Sequence, residues 1–199
     1  LLEERDVNLD DRIKVLNFHT KFKISENLYV ELVYITHSTL QTALIVLHTN
    51  DGVVVYANDF KLDNHPVLGK KPDYHKLEEL GKKGVKALII DSLKSNQDMK
   101  TPSEKVAREM LKDIIAGVRS EHNAIIVTTF SSHIARLKSI IDFGNGLRRK
   151  IVFLGRSLHK YVDAAEKCNL VHFQGKVDII GFRKLVDKKL GEISSNRDK

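Results

Sequence analysis

Two side chains carry the first chemical suggestion in this chain, His37 and Asp59. An imidazole and a carboxylate are donor types from which metal sites are built. Each lies just beyond a short apolar, β-branched run, residues 28–35 before His37 and residues 53–56 before Asp59. A third such run, residues 43–48, separates them. All three have the length and residue types of strands rather than helices. Asn50-Asp51-Gly52 joins the second run to the third, and Asp-Gly is a strong hairpin signal because the turn favours a residue tolerant of positive φ. The first strand runs out, the second back and the third out again. Two reversals predict His37 and Asp59 side by side at one edge of one sheet. The same two residues also read as loop residues capping strand ends, and residue type alone does not choose between the two.

A second set of polar residues follows later strands. Residues 85–90, 124–129 and 150–154 read as strands. Helices are predicted from Thr101-Pro102-Ser103-Glu104 to about residue 119, over 131–143 up to Gly144-Asn145-Gly146, and over 157–169. Strands alternating with helices predict a parallel, Rossmann-like sheet. In such a sheet the strand-to-helix corners fall on one side. Asp91, Ser131, Ser132, His133, Arg156 and Ser157 occupy those corners and are expected on one concave edge. Helix N-termini there present free N–H groups, and the serine hydroxyls and the Arg156 fork add donors, a combination suited to phosphate. Ser131 and Ser157 read equally as plain helix caps, and Asp91 as a turn cap. Phe60, Phe130 and Phe153 could stack on bases but read as core.

The remaining elements position these residues. Residues 1–11 are acidic and read as the end of a helix, while 13–18 and 21–24 are short strand candidates. Asp73 is placed to cap a helix over 74–81, and residues 177–190 read as helical and basic. The chain therefore divides into a β-rich part, residues 1–92, and a βα-repeat, residues 93–199. With 42% hydrophobic and 30% charged residues it can bury a core, which excludes a disordered or fibrous class. Its formal net charge of +7 favours a polyanionic partner, nucleic acid being the commonest, although a Lys-rich solvated surface has the same composition. Cys168 is the only cysteine, so a disulfide framework or a cysteine zinc site within one chain is excluded, which favours the cytoplasm. No apolar run is long enough to span a bilayer, and no signal peptide is seen.

His37-Ser38 after a strand, then the hairpin, then Asn58-Asp59-Phe60-Lys61-Leu62-Asp63, resembles the second half of a metallo-β-lactamase domain. The resemblance is closest to the archaeal type of ribonuclease J in the β-CASP branch. It continues through the run IIVTTFSSHIARLKSI (125–140) and through FLGRSLHKY (153–161), and covers most of the chain. It implies an α/β fold: part of a metallo-β-lactamase sheet, an αββα half, followed by an incomplete Rossmann-like β-CASP domain. It implies His37 and Asp59 as ligands of two zinc ions, with Asp59 as the bridge. Asp91 matches the acidic residue that opens the β-CASP region. RNA is the implied partner, with no membrane, and a homodimer is allowed in the intact protein. The implied activity is metal-dependent RNA phosphodiester hydrolysis, exonucleolytic from the 5′ end and with endonucleolysis allowed.

Two departures accompany the resemblance. The family's His-x-His-x-Asp-His cluster has no counterpart among the nine histidines, and the downstream Gly-His-Ala-Ser-like histidine is also missing. Thr39-Leu40-Gln41-Thr42 stands where the family has Ile-Pro-Asp-Ser. With Leu1 rather than a methionine at the start, this predicts an inactive fragment of an active enzyme. Two other readings remain: a non-catalytic RNA-binding β-CASP homologue, and a small nucleotide-binding α/β module. The last would need a Gly-rich phosphate loop, and neither GxGxxG nor GxxxxGKS occurs.

Overall fold

The computed structural model describes residues 12–117 and 123–196, and the helical reading of residues 1–11 lies outside them. The described residues form two compact units. The first takes the chain up to Tyr34, then Ala43–Asp59 and Asp73–Ser92. The second takes Ile35–Thr42, Phe60–Pro72 and the chain from Leu93 onward. The fold class is mixed α/β, as expected, and the two units interleave along the chain.

The first unit is a five-stranded sheet in the order β1-β2-β3-β4-β5, with β1 Phe22–Ser25, β2 Leu28–Tyr34, β3 Ala43–Thr49, β4 Gly52–Ala57 and β5 Val85–Ile90. The first three pairings are antiparallel, and β4 with β5 is parallel. Register puts Glu31, Val46 and Val55 in one cross-strand row, and Val33 opposite Leu44 in the next. These residues are buried, whereas Ile45 and Tyr56 on the other face are exposed, the alternation that one buried face imposes. The hairpin closes through a Thr49–Gly52 pair, so its loop residues are Asn50 and Asp51. Positive φ falls on Gly52 at 133°, where an added Cβ would come within 3.3 Å of the Lys86 Cβ. Glycine is needed at the exit of the turn rather than within it.

Helix α1, Tyr74–Lys83, starts where Asp73 accepts the Lys76 N–H at 2.9 Å, the cap read from the sequence. Lys76 Nζ reaches the buried Glu31 carboxylate at 2.9 Å, and His48 Nε2 lies 2.8 Å from its other oxygen. Burial pushes the Glu31 carboxyl up, but hydrogen bonds from Lys76 and His48 outweigh it and hold the group below its ordinary range.

The second unit contains α2 Glu104–Gly117, α3 Ile134–Gly146, β6 Val152–Leu154, α4 Arg156–Lys167, β7 Asp178–Ile180 and α5 Arg183–Ser195. Its core is Ile134, Leu137 and Ile141 of α3 with Phe153, Val162, Ala165, Val171 and Phe173. Leu40 packs against this cluster. The Leu in the divergent Thr39–Thr42 turn is therefore held by burial.

Several expectations fail here. Residues 13–18 and 124–129 form no strand, because neither has a ladder partner among the described residues. Residues 177–190 are not one helix: β7 pairs in parallel with β6, and only after Phe182 does a helix begin. Phe153 is core, but Phe130 is 77% exposed, since the segment before it joins no sheet. The helix expected from Ser131 begins at Ile134 with His133 as cap and runs on to Gly146. Ser157 is not the cap of α4. Gly155 is, at φ 137°, and it brings no side-chain cap of its own. Gly155→Ala should cost about 1–3 kcal/mol because only glycine tolerates that backbone region. Ser157→Ala should stay within about 0.5 kcal/mol, against roughly 1 kcal/mol for a true cap. Thermal melts of the two variants check both values.

Candidate functional site

Strand direction places the first set of residues. β2 and β4 both run antiparallel to β3, and β5 runs parallel to β4. The C-terminal ends of β2, β4 and β5 therefore share one edge of the sheet. Asp59 follows β4 and Asp91 follows β5 at that edge, where the Asp91 N–H donates to the Ala57 carbonyl at 3.2 Å. His37 follows β2 in the chain but groups with the second unit, whereas Asp59 and Asp91 group with the first. His37 and Asp59 are both exposed.

Within the second unit His37 sits in a hydrogen-bonded loop. Its Nδ1 lies 3.3 Å from Ser38 Oγ, and Ser38 Oγ lies 3.5 Å from Ser132 Oγ, the outer limit of a hydrogen bond. One residue earlier, Thr36 bridges to Lys61 and its hydroxyl donates to the Lys61 carbonyl. Thr36 Oγ1 in turn accepts the Asp63 N–H at 3.0 Å.

Asp63 is 4% exposed, and a carboxylate buried so deeply needs hydrogen-bond partners. It accepts the Glu104 N–H at 2.7 Å and the His65 N–H at 2.8 Å, with Lys61 Nζ at 3.6 Å. A carboxylate from a distant loop thus caps the first turn of α2, where free N–H groups and partial positive charge favour an anion. Ser103 adds the local cap by accepting the Val106 N–H at 3.4 Å.

Glu104 carries the connection onward. It is 4% exposed, accepts Arg136 Nε at 3.1 Å and Arg136 Nη2 at 2.9 Å, and has His133 Nε2 at 3.2 Å. Burial pushes its carboxyl up, but the bonds from His133 and Arg136 prevail and lower it to about 2. The chain of contacts runs Thr36, Asp63, Glu104, His133 and Arg136. It ties the His37–Ser38 loop to the start of α3, where Ser132 lies.

This geometry corrects two readings. The His133 ring nitrogen expected to face a phosphate lies instead against a carboxylate, so His133 is a tether. Among the described residues the single parallel sheet expected to align Asp91, Ser131, Ser132, Arg156 and Ser157 is not present: β5 belongs to the first sheet, β6 and β7 form a two-stranded sheet, and the described residues leading directly into Ser131 form no strand. Ser131 and Ser132 are half-buried, while Arg156 and Ser157 are exposed on the first turn of α4.

Thr36, Asp63, Glu104 and Arg136 were not singled out from sequence. Asp63 lies inside the Asn58–Asp63 run and was visible there as a second carboxylate. Glu104 stands three residues after Thr101, a spacing that suggests a local capping box and hides its long-range partners.

Two donors of the zinc-binding type do not complete a zinc site. Among the described residues no three histidine, cysteine, aspartate or glutamate side chains are grouped to hold a metal ion. No helix among them is long and apolar enough to cross a membrane.

Residues 122–193 match the family model described as "Ribonuclease J, beta-CASP domain". A protein named Ribonuclease J from Pyrococcus abyssi is 43% identical over 182 residues, which is 92% of this chain and 40% of that protein. The chain is homologous to ribonuclease J. A second archaeal Ribonuclease J, from Methanocaldococcus jannaschii, is 38% identical over 97% of this chain and 43% of its own length. A bacterial Ribonuclease J from Helicobacter pylori is 32% identical over 72% of this chain and 20% of its own length. The chain thus spans about two-fifths of the two archaeal ribonuclease J proteins. A crystal structure of a protein of unknown function from Enterococcus faecalis V583 shares the fold at a TM-score of 0.55. It is 14% identical and covers 94% of this chain and 54% of that one.

Proposed function

We propose that the protein containing this chain hydrolyses RNA phosphodiester bonds, as an exoribonuclease acting from the 5′ end. The observation that carries this is the 43% identity to a ribonuclease J across 92% of the chain. Support from geometry is that the ends of β2, β4 and β5 share one sheet edge, with Asp59 and Asp91 just beyond it. In this reading residues 1–92 are the metallo-β-lactamase part and residues 93–199 the β-CASP part. His37 and Asp59 are two donors of a zinc set completed by residues outside this chain. Bound zinc would supply Lewis-acid activation of water and of the phosphoryl oxygen.

The chain's own residues hold and orient. The Thr36–Asp63–Glu104 network fixes the loop that carries His37. The hydroxyls of Ser131, Ser132 and Ser157, with the Arg156 guanidinium, donate to backbone phosphates without reading bases. The formal charge of +7 adds a sequence-independent attraction to RNA. The setting is the cytoplasm.

The test is to give the full-length protein, with zinc, single-stranded RNA labelled at either end. Mononucleotides released from the 5′ label first are the expected result, and this chain alone should release none. Intact RNA after incubation with the full-length protein would overturn the reading.

A further inference from the structure

A pocket of about 590 Å³ opens in the second unit between the loop 64–71 and the helices α2 and α3. The lining residues His65 and Lys105 are tied together: Asp63 accepts the His65 and Glu104 N–H groups, and the Lys105 N–H donates to the His65 carbonyl at 3.3 Å. Another lining residue is equally fixed. Arg108 donates to Ser139 Oγ at 3.0 Å, pairs with Asp142 at 2.9 Å, and lies 4.6 Å over the Phe143 ring.

The charges of the lining do not balance. Lys71, Lys105, Arg108 and Lys138 face only Glu109 and Asp142. Asp142 is already held by Arg108 and by Lys138 at 2.7 Å, and Glu109 pairs at 3.5 Å with Lys112, which does not line the pocket. Lys71 and Lys105 line the pocket, are exposed, and have no carboxylate partner among the described residues. Two unpaired ammonium groups over a preformed polar cavity are complementary to an anion.

We propose that this pocket binds a phosphate, held by Lys71 and Lys105 against the rigid Arg108 wall and supplied either by an RNA backbone or by a free nucleotide. The RNA source rests on the reading under Proposed function, whereas the nucleotide source does not. The positive charge of each lysine, on a flexible stem, can reach a phosphate from several directions.

The test uses the full-length protein and the double variant Lys71→Gln/Lys105→Gln. Both positions are exposed, so unchanged melting is expected, and Lys71→Arg/Lys105→Arg serves as the charge-keeping control. Binding is measured to a single-stranded phosphorothioate oligouridylate and, separately, to adenosine monophosphate. For RNA, the Gln variant should lose roughly tenfold in affinity, and its salt dependence should flatten by about 1.4 in log–log slope, two contacts at about 0.7 each. The Arg variant and Lys82→Gln, outside the pocket, should bind as the wild type does. Weaker RNA binding alone assigns the backbone as the source. Weaker nucleotide binding alone assigns the free nucleotide. Unchanged affinity for both overturns the pocket, and does so even if the protein cleaves RNA. A wild type that binds neither overturns it as well.

Discussion

Glu104→Gln should destabilise the protein by roughly 3 kcal/mol at neutral pH, and the loss should shrink as pH falls. The carboxylate is buried and shared by Arg136 and His133, so its amide replacement leaves a guanidinium and an imidazole without their anion. Breaking a buried pair by removing one partner is the costly case. The folded-state value of about 2, against 4.5 for the ordinary carboxyl, corresponds to roughly 3 kcal/mol. A depressed carboxyl contributes its stability above the unfolded value and loses it as pH falls through the folded one. The contribution should therefore be complete above about pH 5.5 and fade between there and about pH 2. Glu31 and Asp142 are also lowered and weaken the wild type over the same acid range, so the difference between wild type and variant isolates Glu104. Urea unfolding of both proteins across that range checks this. A gap that stays constant with pH would show that Glu104 is held by packing and not by charge.

What could be read from the sequence follows the range of the interactions. β2, β3 and β4 are local β-branched runs joined by a tight turn, and their order and direction follow from chain reversal alone. Asp73 caps its helix through a contact three residues away, so it too was readable. The network at Asp63 depends on partners 27 and 41 residues distant, which no local pattern carries. Residues 124–129 have the composition of a strand, yet a strand is defined by its neighbour and this one has none among the described residues. β7 was hidden because Ile179 and Ile180 sit beside a basic helical run, and only pairing with β6 separates the two. His133 looked like a phosphate ligand because of the serines before it. The buried carboxylate it meets comes from another helix.

The role of Asp59 carries the greatest weight for function. It lies just past β4, exposed, at the edge where β2 and β5 also end. Little in the fold depends on it, so Asp59→Ala should leave the melting temperature nearly unchanged, within about 0.5 kcal/mol. If it holds metal beside the scissile phosphate, removing it breaks a set that acts as a unit. The rate should then fall by more than roughly a thousandfold. Turnover of single-stranded RNA by full-length Asp59→Ala, set beside its thermal melt, decides the matter. Background hydrolysis from a folded variant is the expected result; turnover equal to wild type would contradict it.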